Sequence, residues 1–143
     1  MNLHSPLPHE QQAIRSLLTA AALPVEDLDD AKVQFIVATE NDEAVGAIGL
    51  ESFADAGLLR SLVVRADLRG SGIGGRLVDA LESLARERGV DRLVLLTQTA
   101  APFFAGRGYR VIDREAAPEG VRTSAEFRSL CPASATCMLK DLD

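Results

Sequence analysis

The chain has 143 residues, of which 47% are hydrophobic and 25% are charged, and its formal net charge is −6. This length predicts one domain over residues 1–143, and the apolar fraction excludes global disorder. No apolar run approaches a membrane span of roughly 18 residues, the first residues lack a secretory signal, and two cysteines cannot form a disulfide framework. We therefore expect a cytoplasmic protein without a membrane partner.

The charge is unevenly distributed along the chain. Residues 1–57 contain ten acidic and two basic residues, whereas residues 58–143 contain eleven acidic and thirteen basic residues. Four arginines fall within residues 60–76, against one acidic residue. A local cationic patch on an acidic chain indicates a small anionic ligand and argues against nucleic acid as a partner.

The first half of the chain reads as one helix and three strands. Hydrophobic periodicity predicts the helix over residues 8–22. Alternating apolar residues predict strands over 33–40, 44–53 and 58–64, separated by short turns. Because the turns are short, the three strands are expected to form an antiparallel meander.

Helices and strands alternate in the second half. A long amphipathic helix is predicted from Ile73 to about Arg88, with Gly89 as its C-cap. The segments that follow are a buried strand over 91–97, a short apolar segment over 100–105, a strand over 109–113, a connection of helix and loop over 114–134, and a strand over 135–140. Mixed strands with helices between them predict an α/β fold with a partly antiparallel and partly parallel sheet.

Four glycines in six residues lie where the third meander strand passes into the long helix, at Gly70, Gly72, Gly74 and Gly75. Glycine permits a positive φ and the close approach of a ligand, and the first turn of a helix offers unpaired N–H donors. The segment therefore predicts a phosphate-binding turn. A Walker loop is excluded because no lysine is present, and a Rossmann unit is disfavoured because a meander precedes the turn.

The motif Arg69-x-x-Gly72-x-Gly74 resembles the signature of the GNAT family of N-acetyltransferases. The order of elements and the TxxAxxFFxxxGY segment from Thr97 to Tyr109 extend this resemblance from about residue 8 to the end of the chain. The resemblance implies acetyl-CoA as the donor. It also implies a mixed sheet flanked by helices, with an antiparallel meander and a parallel pair of strands splayed around the cofactor.

The resemblance also implies which residues bind the donor. The pyrophosphate is expected on the backbone amides of Gly70, Gly72, Ile73, Gly74, Gly75 and Arg76, with Arg69 and Arg76 adding charge. The pantetheine is expected to pair with the backbone at Leu62 and Val64. Thr97 is expected to bond the cofactor, at a position where many relatives have asparagine.

Acetyl transfer needs an oxyanion donor, a base for the amine and a proton for the leaving thiolate. The backbone N–H of Leu62 is the predicted oxyanion donor, and Glu51 and Glu126 are the candidate bases. The family usually places a tyrosine acid where this chain has Phe104, which cannot donate a proton and is assigned only to cofactor contact. A water, Ser71 or Tyr109 could substitute, or the thiolate leaves without a dedicated acid.

The segment from Phe103 to Leu142 resembles amino-acid acetyltransferases, and resembles more closely small acetyltransferases associated with arsenic resistance. This resemblance implies a small-molecule amine as partner: an amino acid or an amino-acid-like toxic amine, including an arsenical glutamate mimic. Arg60 is the predicted partner of the acceptor's carboxylate. The remaining predicted acceptor contacts are Arg122, Ser124, Arg128 and Ser129.

Two other functions stay open from the sequence alone. The acidic N-terminal part favours an aminoglycoside-like or protein amine, and Phe104 favours a non-catalytic acyl-CoA sensor. We expect no metal site, because Cys131 and Cys137 are more typical of buried apolar positions than of a soft-ion pair. Formation of a homodimer is left open.

Overall fold

A mixed sheet forms the centre of the computed structural model, which describes residues 1–142. Within these residues the sheet has seven strands: β1 (Asn2–His4), β2 (Val33–Glu40), β3 (Glu43–Phe53), β4 (Ala56–Val64), β5 (Arg92–Thr97), β6 (Arg110–Val111) and β7 (Thr136–Asp141). Their spatial order is β1-β2-β3-β4-β5-β7-β6. The β4–β5 pair is parallel and every other pair is antiparallel.

Helices and single helical turns connect the strands. The α-helices are α1 (Gln11–Ala20), α2 (Ile73–Glu87), α3 (Ala101–Ala105) and α4 (Glu119–Arg122). Short 3₁₀ turns cover Pro8–Glu10, Ala66–Leu68 and Arg114–Ala116, and a π-helical turn covers Glu126–Leu130. Within residues 1–142 no helix is long and apolar enough to cross a membrane.

Side chains of adjacent strand residues point to opposite faces of the sheet, so each strand contributes apolar side chains to a core layer on either face. On one face α2 buries Leu77 and Leu81 against Ile48 of β3 and Leu93 of β5. The other face has two clusters. One contains Ile14 and Leu18 of α1, and the second contains Val121 of α4 with Leu58 and Val94. This alternation places the N-terminal helix and the α4 region on the same side of the sheet, opposite α2.

The α/β fold with a meander and one parallel pair, predicted above, is confirmed. The differences are local. The helix predicted over 8–22 begins as a 3₁₀ turn and ends at Ala20, because Ala22 adopts a positive φ of 59°. Strand β1 was not predicted, since three residues cannot show a period, and it forms by pairing with the edge of β2. Strand β6 keeps two of the five predicted residues, and β7 lies one residue later than predicted.

The two parallel strands separate after a short shared stretch. Pairing runs from Ala56 with Arg92 to Leu58 with Val94, although β4 continues to Val64 and β5 to Thr97. Beyond this point each strand stays paired on its outer side, β4 with β3 and β5 with β7. A gap therefore opens between their C-terminal halves.

A β-bulge in β4 lies beside this gap. Ala47 pairs with Val63 and Gly49 pairs with Arg60, so Ile48 alone faces the two residues Ser61 and Leu62. Ser61 has a φ of 60°, a backbone conformation that residues other than glycine rarely adopt outside bulges and turns. Neither Ser61 nor Leu62 has a paired residue on β3 or β5 within the described chain.

Gly57 allows β4 and β5 to meet at the closed end of the gap. A Cβ at this position would lie 2.9 Å from Leu50 and 3.1 Å from Leu93. We expect Gly57→Ala to lower the free energy of unfolding by about 1–3 kcal/mol through overpacking, measured by urea denaturation. Gly106→Ala is the matched control, because its Cβ would make ordinary contacts of 3.5 Å. Equal stabilities of the two variants would contradict this account of the β4–β5 contact.

Candidate active site

A cleft of about 700 Å³ occupies the gap between β4 and β5. One wall is Leu59–Val64 of β4, and the opposite wall is the end of β5 with the segment that leads into α3. The loop after α1 and residues of the π-helical turn close one end of the cleft, and Arg69 and Gly74 lie at the other. A smaller cavity of about 310 Å³ lies between α1 and β2.

The glycine-rich turn at the end near Arg69 has the backbone of an anion site. Gly70 and Gly72 have φ values of +84° and +90°, which glycine adopts without strain. Helix α2 then begins at Ile73, so the amides of Ile73, Gly74 and Gly75 belong to the first turn, where donors lack intrahelical acceptors.

One predicted contact of this turn, the Arg76 amide, differs in the structure. The Arg76 amide donates to the Gly72 carbonyl at 3.2 Å, so it closes the first helical hydrogen bond and is not available to a phosphate. The Arg69 side chain reaches back to the Val64 carbonyl, with Nε at 3.4 Å. Arg107 was not predicted: its Nη2 donates to the Gly75 carbonyl at 3.2 Å, and its guanidinium lies 5.9 Å from the centroid of the Phe103 ring. The sequence feature that could have indicated Arg107 is its position between Gly106 and Gly108, just before β6.

Arg60 lies at the opposite end of the cleft, and its partners belong to the chain itself. Its side chain has no exposed surface. Nη1 and Nη2 donate to the two oxygens of Asp27 at 2.6 and 2.9 Å, and Nη1 also donates to Glu51 at 2.8 Å. Nε donates to the Ser61 hydroxyl at 3.1 Å and lies 3.4 Å from Glu126 Oε2.

These contacts correct the role predicted for Arg60. An arginine that binds a substrate carboxylate needs two N–H groups free in a fork. Here Asp27 occupies the fork, and the hydrogen bonds from Arg60 hold the pKa of the Asp27 carboxyl below its usual range. Arg60 is therefore the centre of an internal ion cluster with Asp27, Glu51 and Glu126.

Glu126 is the acid of this cluster that lines the cleft. Only 4% of its surface is exposed. Burial raises the pKa of Glu126 to about 7; Asp27 and Glu51 act in the same direction, and Arg60 opposes them. Glu51, the other candidate base, is buried behind the cleft wall and bonded to Arg60. The geometry therefore favours Glu126 as the group that can exchange a proton with a molecule in the cleft.

The two cysteines lie in different surroundings. Cys131 lines the cleft beside Glu126, and burial together with the Glu126 carboxylate raises the pKa of the Cys131 thiol to about 12. Cys137 packs among the apolar side chains beneath α4, as predicted, and burial raises its pKa to about 11. Within residues 1–142 no group of three or more His, Cys, Asp or Glu side chains is arranged to hold a metal ion.

The aromatic candidates separate into one cleft residue and one core residue. Phe104 is buried and lines the cleft. The Tyr109 hydroxyl donates to Glu82 at 2.9 Å beneath α2, and Lys140 donates to the same carboxylate at 3.1 Å. Burial, with Glu82 beside it, raises the pKa of Tyr109 well above its usual value. Tyr109 is therefore a structural residue, which corrects its assignment as a substitute acid.

Thr97 and Ser71 have hydroxyls that already form local hydrogen bonds. Thr97 lines the cleft, and its Oγ1 accepts a hydrogen bond of 3.0 Å from the Ala100 amide just before α3. The Ser71 hydroxyl donates to the Leu68 carbonyl in the exposed glycine turn. Thr97 is thus placed to contact a ligand, whereas Ser71 lies far from the acceptor end.

The four remaining predicted acceptor contacts lie outside the cleft lining. Arg122 donates to the Ala117 carbonyl at 3.1 Å, and Ser124 accepts from the Phe127 amide at 3.3 Å. Arg128 and Ser129 are exposed. For Arg128 and Ser129 the reason is the π-helical turn: the Cys131 amide bonds to the Glu126 carbonyl, five residues earlier, at 3.0 Å. This wider turn directs Glu126, Leu130 and Cys131 into the cleft and the residues between them away from it.

Comparison with known proteins gives a consistent family. Residues 8–124 match the model of the acetyltransferase (GNAT) domain. An uncharacterized N-acetyltransferase of Chlorobaculum tepidum is 28% identical over 114 residues, which cover 79% of this chain and 71% of that protein. The amino-acid acetyltransferase of Pseudomonas putida is 34% identical over 90 residues, covering 62% of this chain and 19% of that protein.

Solved structures show the same fold. N-acetylglutamate synthase from Neisseria gonorrhoeae, crystallised with coenzyme A and N-acetyl-glutamate, superposes with a TM-score of 0.84 at 20% identity, over 99% of this chain and 35% of that one. Rv2747 from Mycobacterium tuberculosis, crystallised with CoA and NLQ, has a TM-score of 0.84 at 26% identity over 100% of both chains. The chain spans about a third of the length of the gonococcal enzyme.

The divided parallel pair, the glycine turn at a helix start and the cleft that joins them belong to the fold that these solved structures share. The chain belongs to the GNAT family of acetyltransferases. It is thus a transferase enzyme.

Substitution at Gly74 tests the glycine turn as the donor site. A Cβ at Gly74 would lie 3.6 Å from the Phe103 ring and 3.9 Å from Val64, where the cleft reaches the turn. We expect Gly74→Val to weaken acetyl-CoA binding at least tenfold, or about 1.4 kcal/mol, in calorimetry. Ser83→Val, on an exposed part of the same helix, is the control and should bind normally. Unchanged binding by a folded Gly74→Val variant would place the donor elsewhere.

The role of Tyr109 is tested by removing its hydroxyl. We expect Tyr109→Phe to lose about 1–3 kcal/mol of stability in thermal or urea unfolding, because a buried hydrogen bond to a carboxylate is removed. Its kcat should stay within about twofold of wild type, because the hydroxyl does not reach the cleft. A large fall in kcat without a loss of stability would restore Tyr109 as an acid.

Proposed function

We propose that this chain transfers the acetyl group of acetyl-CoA to the primary amine of a small molecule. The observation that carries the proposal is the single cleft that joins the glycine turn at one end to Glu126 at the other. The family match and the coenzyme A in the related crystal structures support acetyl-CoA as the donor. The free thiols of Cys131 and Cys137 support a cytoplasmic location.

The donor lies along β4 in this proposal. The amides of Ile73, Gly74 and Gly75 bind its pyrophosphate, because helix N-termini favour anions. The edge of β4 beyond Leu58 has no strand partner on the β5 side, so its backbone groups before the Val64 carbonyl, which Arg69 contacts, are open to the pantetheine. The bulge at Ser61 and Leu62 interrupts pairing with β3, and the Leu62 N–H is the proposed donor to the thioester oxygen.

The acceptor reacts from the opposite side of the thioester. Its ammonium gives one proton to the Glu126 carboxylate, directly or through water, and the neutral nitrogen attacks the acetyl carbon. The C–N bond forms, the C–S bond breaks, and the sulfur leaves with the electron pair as the CoA thiolate. The nitrogen gives its second proton to solvent and becomes the neutral amide. Phe104 has no proton to give and Tyr109 is bonded to Glu82, so the thiolate leaves without a dedicated acid and takes its proton from solvent.

The nature of the acceptor is a finer proposal. An amino-acid-like amine is supported by relatives named amino-acid acetyltransferases, and an arsenical mimic rests on the sequence resemblance alone. The internal partners of Arg60 remove the group predicted to bind the acceptor's carboxylate. A non-catalytic sensor is the alternative that Phe104 favours, and it would bind acetyl-CoA without releasing CoA in the presence of any amine.

Glu126→Gln tests both the reaction and the base. We expect kcat to fall by about 10²–10⁴-fold, because the amide cannot accept the proton. Acetyl-CoA affinity should not change. In the wild-type enzyme kcat/KM should rise with pH through about 7, since Glu126 accepts a proton only when ionised and is protonated below its pKa. In the variant kcat/KM should not rise near pH 7, and it should rise only at higher pH, where the acceptor amine itself loses its proton.

Glu119→Gln, at an exposed position of α4, is the matched control and should keep the wild-type profile. The measurement is CoA release followed with a thiol reagent from about pH 5.5 to about 9. A Glu126→Gln variant that retains both the rate and the rise of kcat/KM near pH 7 would show that another group, or water alone, removes the proton.

A further inference from the structure

Positive side chains are scarce along the cleft. Among the cleft-lining residues of the described chain, Arg60 and Arg69 are the cationic ones. Arg69 lies at the glycine-turn end and bonds the Val64 carbonyl. Arg60 lies at the acceptor end, but its side chain has no exposed surface and its three nitrogens contact Asp27, Glu51, Ser61 and Glu126.

The acceptor end therefore carries excess negative charge. Three carboxylates surround one guanidinium, and one of them, Glu126, faces the cleft. An ammonium in the cleft compensates this charge, whereas a carboxylate beside the amine is placed near Glu126 without a cation of its own.

Recruiting Arg60 to an incoming carboxylate requires that Asp27 leave. Asp27 makes two hydrogen bonds to the guanidinium, at 2.6 and 2.9 Å, and Asp27 comes from the loop between α1 and β2. Release of that loop leaves the Asp27 charge without its partner and removes one side of the cleft. Replacing Asp27 by the carboxylate of an amino-acid substrate as the partner of Arg60 is therefore unfavourable.

The other walls of the acceptor end are largely apolar. Leu23 and Pro24 of the loop after α1 face the cleft, and Leu130 and Pro132 line it after the π-helical turn. These side chains fit a hydrocarbon body and offer no charged partner.

We infer that the acceptor is a primary aliphatic amine that has no carboxylate near its reacting nitrogen. This inference rests on the proposed function and specifies its substrate class. The amine enters as a cation that the Arg60 cluster attracts, its hydrocarbon part lies against the leucine and proline side chains, and it leaves as a neutral amide.

The test compares amino acids with their decarboxylated amines in the acetyl-CoA assay. The pairs are leucine with 3-methylbutylamine and phenylalanine with phenethylamine. Rates are compared at equal concentrations of neutral amine, because the members of a pair differ in basicity. We expect kcat/KM to be at least tenfold higher for the amine in each pair. Leucinamide, which keeps the size of leucine without its negative charge, should recover most of the difference.

A variant tests the reason for the preference. Asp27→Asn removes a negative charge and loosens the fork of Arg60, so it should raise kcat/KM for leucine relative to 3-methylbutylamine by at least about fivefold. Asp29→Asn, in the same loop but exposed and paired with Arg15, is the control and should leave the ratio unchanged. If Asp27→Asn does not fold, the wild-type comparison decides alone.

The possible failures are distinguishable. Turnover that favours the amino acid over its amine in these pairs overturns the inference and leaves the acetyltransferase proposal standing. Absence of CoA release with every amine, in an enzyme that binds acetyl-CoA by calorimetry, rejects the proposed function and the inference together.

Discussion

The separation of two parallel strands is the constraint on which the rest of the molecule depends. β4 and β5 share three residue pairs and then part, because each follows its outer neighbour. A gap inside a sheet leaves backbone N–H and C=O groups without partners, which a protein interior does not tolerate unless water or a ligand satisfies them. The separation of the strands leaves these backbone groups unpaired, and it also opens the space in which a ligand can pair with them. An extended ligand bound along β4 therefore completes the sheet.

Arg60 organises the segments around this gap. It joins β4 to the loop after α1 through Asp27, to β3 through Glu51 and to the π-helical turn near Glu126. Burying an arginine is costly, and the cost is offset only when carboxylates supply both charge and hydrogen bonds. Three carboxylates exceed what one guanidinium neutralises, and this imbalance contributes to the raised pKa of Glu126. The ion cluster therefore links the shape of the cleft to the proton affinity of its base.

Local sequence patterns were enough to predict the meander, the glycine turn and α2, because each depends on residues close together in the chain. Strand alternation and the glycines at positions 70 and 72 report backbone conformation directly. The partners of Arg60 could not be predicted in this way. Asp27 is 33 residues distant in sequence, so its pairing with Arg60 depends on the three-dimensional arrangement of β4 and the loop after α1. An arginine beside an expected reaction centre has the same sequence signature whether it binds a substrate or a neighbouring carboxylate.

The connection between β6 and β7 shows a second limit of prediction from sequence: the sequence did not tell which residues of its helical turns face the cleft. Arg122, Ser124, Arg128 and Ser129 were predicted as acceptor contacts because the resemblance places their segment over the acceptor site, and this does not tell which side each residue of the segment faces. The π-helical turn adds a residue to the repeat, so Glu126 and Cys131, five apart, face the same side. Single π turns are rare and occur often at functional sites. In this chain the irregularity places a buried carboxylate in the cleft, and it is the feature that most directly connects local backbone structure to the chemistry of the site.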